Sequence, residues 1–313
     1  MLTRLILQQA TQNLEEVGVD APRKDAELLL MAAWDISQTS LMVKMMDEVP
    51  EHVVAAFQTL LQRRLKREPI AYILGVKAFW RDDFVVTPDV LVPRPETEHL
   101  LEMVLKYLPP DLSSTRHPRA VSLASQFTSK RGSSEKGGYP IKELGYDEAV
   151  LNIADIGTGS GCISISLAKE YPNAFVMACD ISDKALAVAQ TNAANLGVSQ
   201  RMTFSQGDLY QALPVDGQFD VIVSNPPYVS QDEMNDLEAE LSFEPRFALT
   251  DEASGLTLLD KLLNDGHLYL KDGGLLVLES GLCGMPDTPN TLDKLEDYTD
   301  LAGNFRGTVF CKK

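Results

Sequence analysis

The chain has 313 residues, of which 44% are hydrophobic, so it is long enough for one large and one smaller domain around a sizeable core. No stretch reaches the ~18 apolar residues of a membrane span, and polar residues interrupt the N-terminus where a secretory signal would be apolar, which predicts a cytoplasmic protein without membrane attachment. The formal net charge of −17 argues against nucleic acid as a direct partner, because proteins that bind it usually present a basic face to the phosphates.

Residues 1–70 carry apolar side chains at helical spacing and show no strand pattern. After a first helix near the N-terminus, a second begins at Pro22, a residue favoured in the first helical turn, and runs to Trp34. A third helix spans residues 51–66 and ends before Pro69, because the residue before a proline disfavours helical backbone. The pattern predicts a small N-terminal helical domain.

Residues 71–93 change to β-rich sequence. The runs Tyr72–Trp80 and Phe84–Val86 flank the polar pair Asp82-Asp83. Two such runs around a short polar turn predict a β-hairpin, which we expect to link the helical domain to a larger one.

The larger predicted domain covers residues 94–313 and opens with a helix that starts in Pro93-Arg94-Pro95-Glu96-Thr97-Glu98 and continues through Tyr107. Residues 109–147 are then rich in Ser, Gly, Lys and Arg and keep no apolar period. This composition predicts a mobile insertion, with a basic docking arm as the alternative.

From residue 149 onwards, short apolar runs alternate with helical patterns. Such alternation predicts a parallel sheet with helices on both faces. In sheets of this kind, ligands bind beyond the carboxyl ends of the strands. The predicted strands are Leu151–Ile156, Ala174–Cys179, Met202–Ser205, Phe219–Ser224 and Leu275–Glu279.

The first candidate binding motif is Asp155-Ile156-Gly157-Thr158-Gly159-Ser160-Gly161, which joins the first strand to a helix. Its glycines let the backbone turn sharply and approach a ligand closely. The Gly-x-Gly-x-Gly spacing differs from the Gly-x-Gly-x-x-Gly of nicotinamide-cofactor folds, and Asp155 is a poor neighbour for a pyrophosphate. It suits the cationic amino-acid end of S-adenosylmethionine, directly or through water. A plain tight turn is the alternative.

Two further acids follow the next strands. Asp180 ends the second strand and can accept both ribose hydroxyls of a cofactor, or only cap the helix after it. Asp208 follows the third strand and can accept from an adenine amino group with Leu209 against the ring, or only form a turn. No metal is expected, because the four cysteines form no Cys-x-x-Cys pair and the four histidines have no ligand spacing.

The fourth motif, Asn225-Pro226-Pro227-Tyr228, closes the fourth strand. Two prolines remove two N–H donors and leave carbonyl acceptors beside the Asn225 side-chain oxygen, while Tyr228 offers a flat face. This arrangement fits a planar NH2 group, whose nitrogen two acceptors would orient and enrich in electrons for methyl transfer. The loop alone does not separate a side-chain amide from an exocyclic amine of adenine or guanine. A Pro-rich strand end without chemistry is a further alternative.

Three more specific segments carry a family resemblance: Glu68–Gly75, Leu91–Glu98 and Phe243–Leu249. With the Asn-Pro-Pro-Tyr loop, they make the chain similar to the release-factor glutamine N5-methyltransferases, the HemK family, over nearly its whole length. The resemblance implies an α/β protein with a seven-stranded, doubly wound, Rossmann-like methyltransferase sheet, a small N-terminal helical domain and a β-hairpin linker. It implies that the substrate is the glutamine of the Gly-Gly-Gln motif in class I peptide-chain release factors.

The same resemblance implies residue roles. Gly157–Gly161, Asp180 and Leu209 would line S-adenosylmethionine, and Asn225–Tyr228 would hold the amide. Three residues of the Pro-Arg-Pro-Glu-Thr-Glu segment would lie beside the cofactor pocket, or else only cap their helix; they are Arg94, Glu96 and Thr97.

Two features depart from the family pattern. The insertion at 109–147 is long, and the tail after Gly281 is short. We expect this tail to supply a truncated helix around Thr291–Tyr298 and two strands, the last over Phe305–Phe310.

Two rival functions stay open. An N6-adenine or N2-guanine nucleic-acid methyltransferase predicts a basic groove around Tyr228. A cofactor-binding protein without catalysis is disfavoured by the intact Asn225 and Tyr228. We expect a monomer.

Overall fold

The computed structural model describes residues 1–110, 150–235 and 237–313. The predicted insertion at 109–147 lies, apart from its first two residues, outside the described residues. The boundaries drawn at residues 70 and 93 stay predictions.

The N-terminal region is helical, as predicted. Each helix has an apolar stripe, and these stripes meet in one core around Leu7, Leu30 and Phe57. The predicted helices at 22–34 and 51–66 are confirmed to within one residue. The helices are α1 (Thr3–Glu16), α2 (Pro22–Trp34), α3 (Gln38–Val43), α4 (Glu51–Leu65) and α5 (Ile70–Leu74).

The hairpin is shorter than predicted. Its strands, β1 (Val76–Phe79) and β2 (Asp82–Val85), pair antiparallel. The prediction of β structure from Tyr72 was wrong, because Tyr72 lies in α5. That turn of helix follows Pro69 and ends at Gly75, whose φ of 73° is the left-handed conformation that terminates helices.

Beyond the hairpin, the predicted helix is confirmed as a 3-10 turn (Pro95–Thr97) that continues into α6 (Glu98–Tyr107). Three helices follow the next strands as predicted. They are α7 (Cys162–Glu170), α8 (Asp183–Asn195) and α9 (Thr257–Tyr269).

Seven strands form the main sheet in the order β5-β4-β3-β6-β7-β9-β8, which confirms the predicted fold class. The first five in this order are parallel, but β9 runs antiparallel to both β7 and β8. The sheet is therefore mixed rather than wholly parallel. Its strands are β3 (Asn152–Ile156), β4 (Phe175–Asp180), β5 (Met202–Gln206), β6 (Phe219–Ser224), β7 (Leu270–Glu279), β8 (Leu292–Thr299) and β9 (Phe305–Lys312).

The helix predicted around Thr291–Tyr298 is wrong, since these residues form β8. The short tail offers β8 the free edge of β9, and cross-strand pairing overrides a weak local propensity. Two side chains reinforce the pairing. Thr308 donates to the Asp297 carboxylate at 2.6 Å, and Tyr298 reaches over Gly307 to donate to the Leu278 carbonyl at 3.1 Å.

Helices cover both faces of the sheet. One face packs against α6, α7 and α8, and the other against α9. Strand interiors are consequently apolar, and polar side chains gather where the parallel strands end. Within the part of the chain that the structure describes, no helix combines the length and apolar character needed to cross a membrane.

A core substitution tests whether the short C-terminal hairpin completes the sheet. Phe310 on β9 is fully buried against the α9 side, so Phe310→Ala should lower the free energy of unfolding by about 3–5 kcal/mol. Phe175→Ala serves as the control, because Phe175 on β4 is 56% exposed and should cost under about 1 kcal/mol. Denaturant titration of both variants measures the difference. Similar small losses would mean that β9 is dispensable.

Candidate active site

The glycine loop between β3 and α7 is shaped by three left-handed residues. Gly157, Gly159 and Gly161 have φ values of 76°, 55° and 81°, which favour glycine. The amides of Gly157 and Thr158 both donate to the carbonyl of Cys179, at 2.9 and 2.8 Å. A side chain at Gly157 or Gly159 would point into open space, so the loop leaves room for a ligand to approach its backbone.

Asp155 lies buried beneath this loop. Its Oδ2 accepts from the Thr158 hydroxyl at 2.7 Å and from the Ser164 amide at 3.1 Å. Its Oδ1 has no hydrogen-bond partner among the described residues, and burial raises the pKa of Asp155 to about 6. An unpartnered carboxylate oxygen at this position is an acceptor that a cationic group, or a water bound to one, would satisfy.

Asp180 ends β4 and braces the same loop. Its Oδ2 accepts from the Gly159 amide and its Oδ1 from the Ser182 amide, both at 2.9 Å. The cap of the following helix is Ser182, whose hydroxyl accepts from the Ala185 amide. Burial raises the pKa of Asp180, and each oxygen keeps a second lone pair for a ligand.

Two predicted cofactor residues, Asp208 and Leu209, follow the end of β5. Asp208 is exposed and starts the 3-10 turn Leu209–Ala212. Leu209 has a φ of 49°, unusual for a non-glycine residue, and packs partly against the α9-side core. Ser160 is buried, and its hydroxyl lacks a hydrogen-bond partner among the described residues.

The Asn-Pro-Pro-Tyr loop leaves the end of β6. The Asn225 amide nitrogen donates to the Thr97 hydroxyl at 3.1 Å, which leaves its Oδ1 free to accept. Pro226 and Pro227 contribute no N–H donor. In the described segments, no backbone hydrogen bond uses the carbonyl of Pro226. Several acceptors therefore lie side by side at the two prolines, which offer no backbone donor.

Tyr228 is held between two glycines. A side chain at Gly281 would stand 2.8 Å from the Tyr228 ring, and one at Gly255 would overlap the Tyr228 carbonyl. The Tyr228 hydroxyl donates to Glu279 Oε1 at 3.3 Å. These contacts fix the ring in one orientation.

Glu279, at the end of β7, was missed as a site residue. It is 1% exposed, and burial raises its pKa to about 7, although the hydroxyls of Thr97 and Tyr228 and the charge of Arg306 lower it. The sequence does contain one signal for Glu279: it is an acidic residue that ends a predicted strand, at the carboxyl edge of the sheet.

The Pro-Arg-Pro-Glu-Thr-Glu segment divides its side chains among different partners. Thr97 meets Asn225, while Arg94 pairs with the buried Glu244 at 2.5 Å. Glu96 lies 3.9 Å from Arg306. Of the three, only Thr97 forms a hydrogen bond with the Asn-Pro-Pro-Tyr loop in the described part of the chain, so the three residues do not share one partner.

The segment 229–250 begins directly after the Asn-Pro-Pro-Tyr loop, and its far end comes back beside that loop. The Val229 amide donates to the Leu249 carbonyl at 3.0 Å. Glu240 in this excursion contacts two arginines of the helical region, Arg64 at 3.0 Å and Arg67 at 2.5 Å. Arg64 also pairs with the buried Asp25 at 2.7 Å. The segment that returns to the Asn-Pro-Pro-Tyr loop and the N-terminal helical region are thereby joined by partly buried ion pairs.

A cleft of about 170 Å³ opens beside the Tyr228 ring. Its lining combines apolar side chains with one acid and one base. The lining residues are Tyr228, Val229, Glu233, Leu237, Gly281, Leu282 and Arg306.

Sequence comparisons match both halves of the chain. A family model described as the PrmC N-terminal domain matches residues 6–75, and one described as the methyltransferase small domain matches residues 142–252. A release factor glutamine methyltransferase from Neisseria gonorrhoeae is 37% identical over 261 residues, which cover 83% of this chain and 81% of that protein. One from Rhodopirellula baltica is 36% identical, covering 88% and 82%.

Other similarities are partial. A bifunctional methyltransferase from Rickettsia felis is 37% identical over 88% of this chain, but the chain spans only 50% of that protein. Among solved structures, an RNA methyltransferase from Salinibacter ruber in complex with S-adenosyl-L-homocysteine has a TM-score of 0.34 and 20% identity, covering 52% of this chain and 79% of that one. A likeness this low has no bearing on substrate.

The glycine loop yields a binding prediction. Gly159→Ala should weaken S-adenosylmethionine binding at least about tenfold, ~1.4 kcal/mol, because the methyl group would fill the open space and strain a φ of 55°. The control is Gly303→Ala, at a φ of 86° with similar open space but in the turn between β8 and β9. Titration calorimetry compares them. Equal affinities would exclude the loop from the binding site.

Proposed function

The chain belongs to the release factor glutamine methyltransferase family, and from this premise we propose that it methylates the side-chain amide nitrogen (N5) of a glutamine in class I peptide-chain release factors. The proposed target is the glutamine of the Gly-Gly-Gln motif. The observation that carries the proposal is the free Oδ1 of Asn225 beside a proline carbonyl and a fixed tyrosine ring.

The enzyme is a methyltransferase that uses S-adenosylmethionine. When bound, this cofactor supplies a methyl group on a positively charged sulfur. The chain offers fitting groups: an unpartnered Asp155 oxygen for the amino-acid end, and open space above Gly157 and Gly159. We propose that Asp180 takes the ribose and that Asp208 and Leu209 take the adenine.

An amide nitrogen is a poor nucleophile because its lone pair is delocalised. In the proposed mechanism, Asn225 Oδ1 and a proline carbonyl accept its two hydrogens, which draws electron density onto the nitrogen and fixes its direction of attack. The Tyr228 ring covers the plane of the amide. Once methylated, the nitrogen is strongly acidic and loses its proton without a strong base.

Charge around the cleft supports a protein amide over a nucleic-acid amine. Arg306 is bound to Asp300 at 2.9 Å, and Arg94 is bound to the buried Glu244. Glu233 adds a negative charge to the cleft lining. Both arginines near Tyr228 in the described ranges are thus engaged with carboxylates, whereas a nucleic-acid enzyme needs cations that face phosphates.

The substrate assignment is tested by labelling. The enzyme, incubated with a class I release factor and S-adenosylmethionine carrying a labelled methyl group, should place the label on the glutamine of Gly-Gly-Gln, as mapped by peptide mass spectrometry. A release factor with Gln replaced by Ala in that motif is the control and should stay unlabelled. Label at another residue, or on nucleic acid instead, would refute the assignment.

The amide clamp is tested at Asn225. Asn225→Ala should lower kcat by about 10²–10³-fold, because one of the acceptors that orient the nitrogen is lost. The Kd of the cofactor should stay within about tenfold, ~1.4 kcal/mol. Asn235→Ala, in the exposed turn Glu233–Asn235, is the matched control and should keep full activity. Unchanged turnover in Asn225→Ala would eliminate the clamp.

A further inference from the structure

The cleft beside Tyr228 carries one acid and one base that do not pair with each other. Glu233 and Arg306 both line it, yet the ion pairs of Arg306 go to Asp300 and Glu96, and none in the described ranges joins it to Glu233. Opposite charges that share a cleft attract each other unless each is held elsewhere. The partners that hold them therefore decide what the cleft offers to a ligand.

Arg306 is held by the turn between β8 and β9. Its Nε and Nη2 atoms both lie 2.9 Å from Asp300 Oδ2, while Asp300 Oδ1 accepts from the Asn304 amide at 2.9 Å. The Ser280 amide donates to the Arg306 carbonyl at 2.9 Å, which places Arg306 beside the chain that leaves β7. A guanidinium has five N–H donors, and no hydrogen bond among the described residues uses those of Nη1. Two N–H groups of Arg306 are thus available to a ligand.

Glu233 is held by a reciprocal cap. The Ser230 hydroxyl and amide donate to Glu233 Oε2 at 2.6 and 2.9 Å, and the Glu233 amide donates back to the Ser230 hydroxyl oxygen at 3.3 Å. This capping box fixes one carboxylate oxygen and lowers the pKa of Glu233, so the group is ionised at neutral pH. Its Oε1 takes part in no hydrogen bond among the described residues and remains an acceptor.

The size and lining of the cleft favour a short piece of peptide main chain. Its volume of about 170 Å³ is below the ~300–1,000 Å³ of pockets that enclose small-molecule ligands. Each peptide unit carries both a C=O acceptor and an N–H donor, which matches one fixed donor and one fixed acceptor. A phosphate would offer acceptors only and would be repelled by Glu233. The rest of the lining is apolar or aromatic, or glycine, and consists of Tyr228, Val229, Leu237, Gly281 and Leu282.

We propose that this cleft binds the main chain of the release factor on the glycine side of the target glutamine, with Arg306 donating to a backbone carbonyl and Glu233 accepting from a backbone N–H. This rests on the proposed function, because Tyr228 belongs both to the amide clamp and to the cleft. Residues without side chains suit a cleft of this size, and in Gly-Gly-Gln these are the two residues before the glutamine. Arg306 and Glu233 then determine specificity for small neighbours of the glutamine.

Photo-cross-linking tests the location without turnover. Leu282 is 85% exposed, so p-benzoylphenylalanine can replace it without loss of packing. On irradiation, it should cross-link to the Gly-Gly-Gln loop of a class I release factor, as mapped by peptide mass spectrometry. The same replacement at Val215 is the control and should give only background, because Val215 is 93% exposed and precedes the amino end of β6, opposite to the Asn-Pro-Pro-Tyr loop. Cross-links from position 282 to other parts of the release factor, or none above the control, would overturn the proposal.

Kinetics test the two polar residues. Arg306→Met and Glu233→Gln should each raise KM for the release factor at least about tenfold, ~1.4 kcal/mol, because each loses one hydrogen bond to the substrate. Glu233→Gln keeps its oxygen on Ser230, as a capping box allows, and turns an NH2 group to the cleft. In both variants kcat and the Kd of the cofactor should stay within about threefold, because the clamp and the glycine loop are untouched.

Matched controls separate substrate binding from local folding. Asn304→Ala removes the 3.0 Å bond from Asn304 Nδ2 to Asp300 in the same turn but leaves Arg306 in place. Asp232→Asn makes the same change of charge one residue before Glu233, outside the cleft lining. Both should keep KM within about twofold, and thermal melts of each variant check that the fold persists.

Unchanged KM in the two cleft variants, or an equal rise in Asn304→Ala, would overturn the proposal. Failure of the cleft assignment and failure of the proposed function give different results. If the parent protein methylates the Gly-Gly-Gln glutamine but gives no cross-link from position 282, only the cleft assignment is refuted. If the parent protein methylates no release factor, the proposed function itself is refuted.

Discussion

The site depends on the register of four parallel strands whose interiors are buried on both faces. Ile156 pairs with both Cys179 and Ser224, and Ser224 pairs with Leu278, so β3, β4, β6 and β7 end within one residue of the same level. A slip of one residue would turn every side chain of a strand to the opposite face, which the apolar layers on both sides forbid. The polar groups at the strand ends are therefore brought together by the packing of residues that take no part in chemistry.

Features with a local signal could be predicted from the sequence. Consecutive residues form each of three patterns: the glycine loop, the strand–helix alternation and the Asn-Pro-Pro-Tyr loop. The structure places them around one edge of the sheet. The partnership of Asn225 with Thr97 has no such signal, because it joins positions 128 residues apart. Glu279 escaped for a related reason, since its raised pKa comes chiefly from burial by elements distant in the sequence. The two misassigned segments, at Tyr72 and at β8, are short stretches whose form depends on what they pack against.

Ion pairs connect the helical region to the loop that carries Tyr228. Arg64 and Arg67 converge on Glu240, and Arg94 holds Glu244, both in the stretch that begins and ends next to Tyr228. Partly buried pairs of this kind add little net stability, because desolvation offsets much of their attraction. Their geometry is demanding, however, so they fix where the excursion lies. The helices thus influence the position of the loop that carries Tyr228 without contributing a residue to that loop.

β8 forms one edge of the sheet in the described part of the chain. An outer strand normally offers its free N–H and C=O groups to any other extended chain and invites fibril growth. Charged side chains on β8 oppose such pairing, since four of its eight residues are Asp, Lys or Glu. A neighbouring copy that tried to extend the sheet would have to desolvate these charges. The charged outer edge of β8 therefore resists strand addition by another chain, which favours a protein that stays dispersed at high concentration.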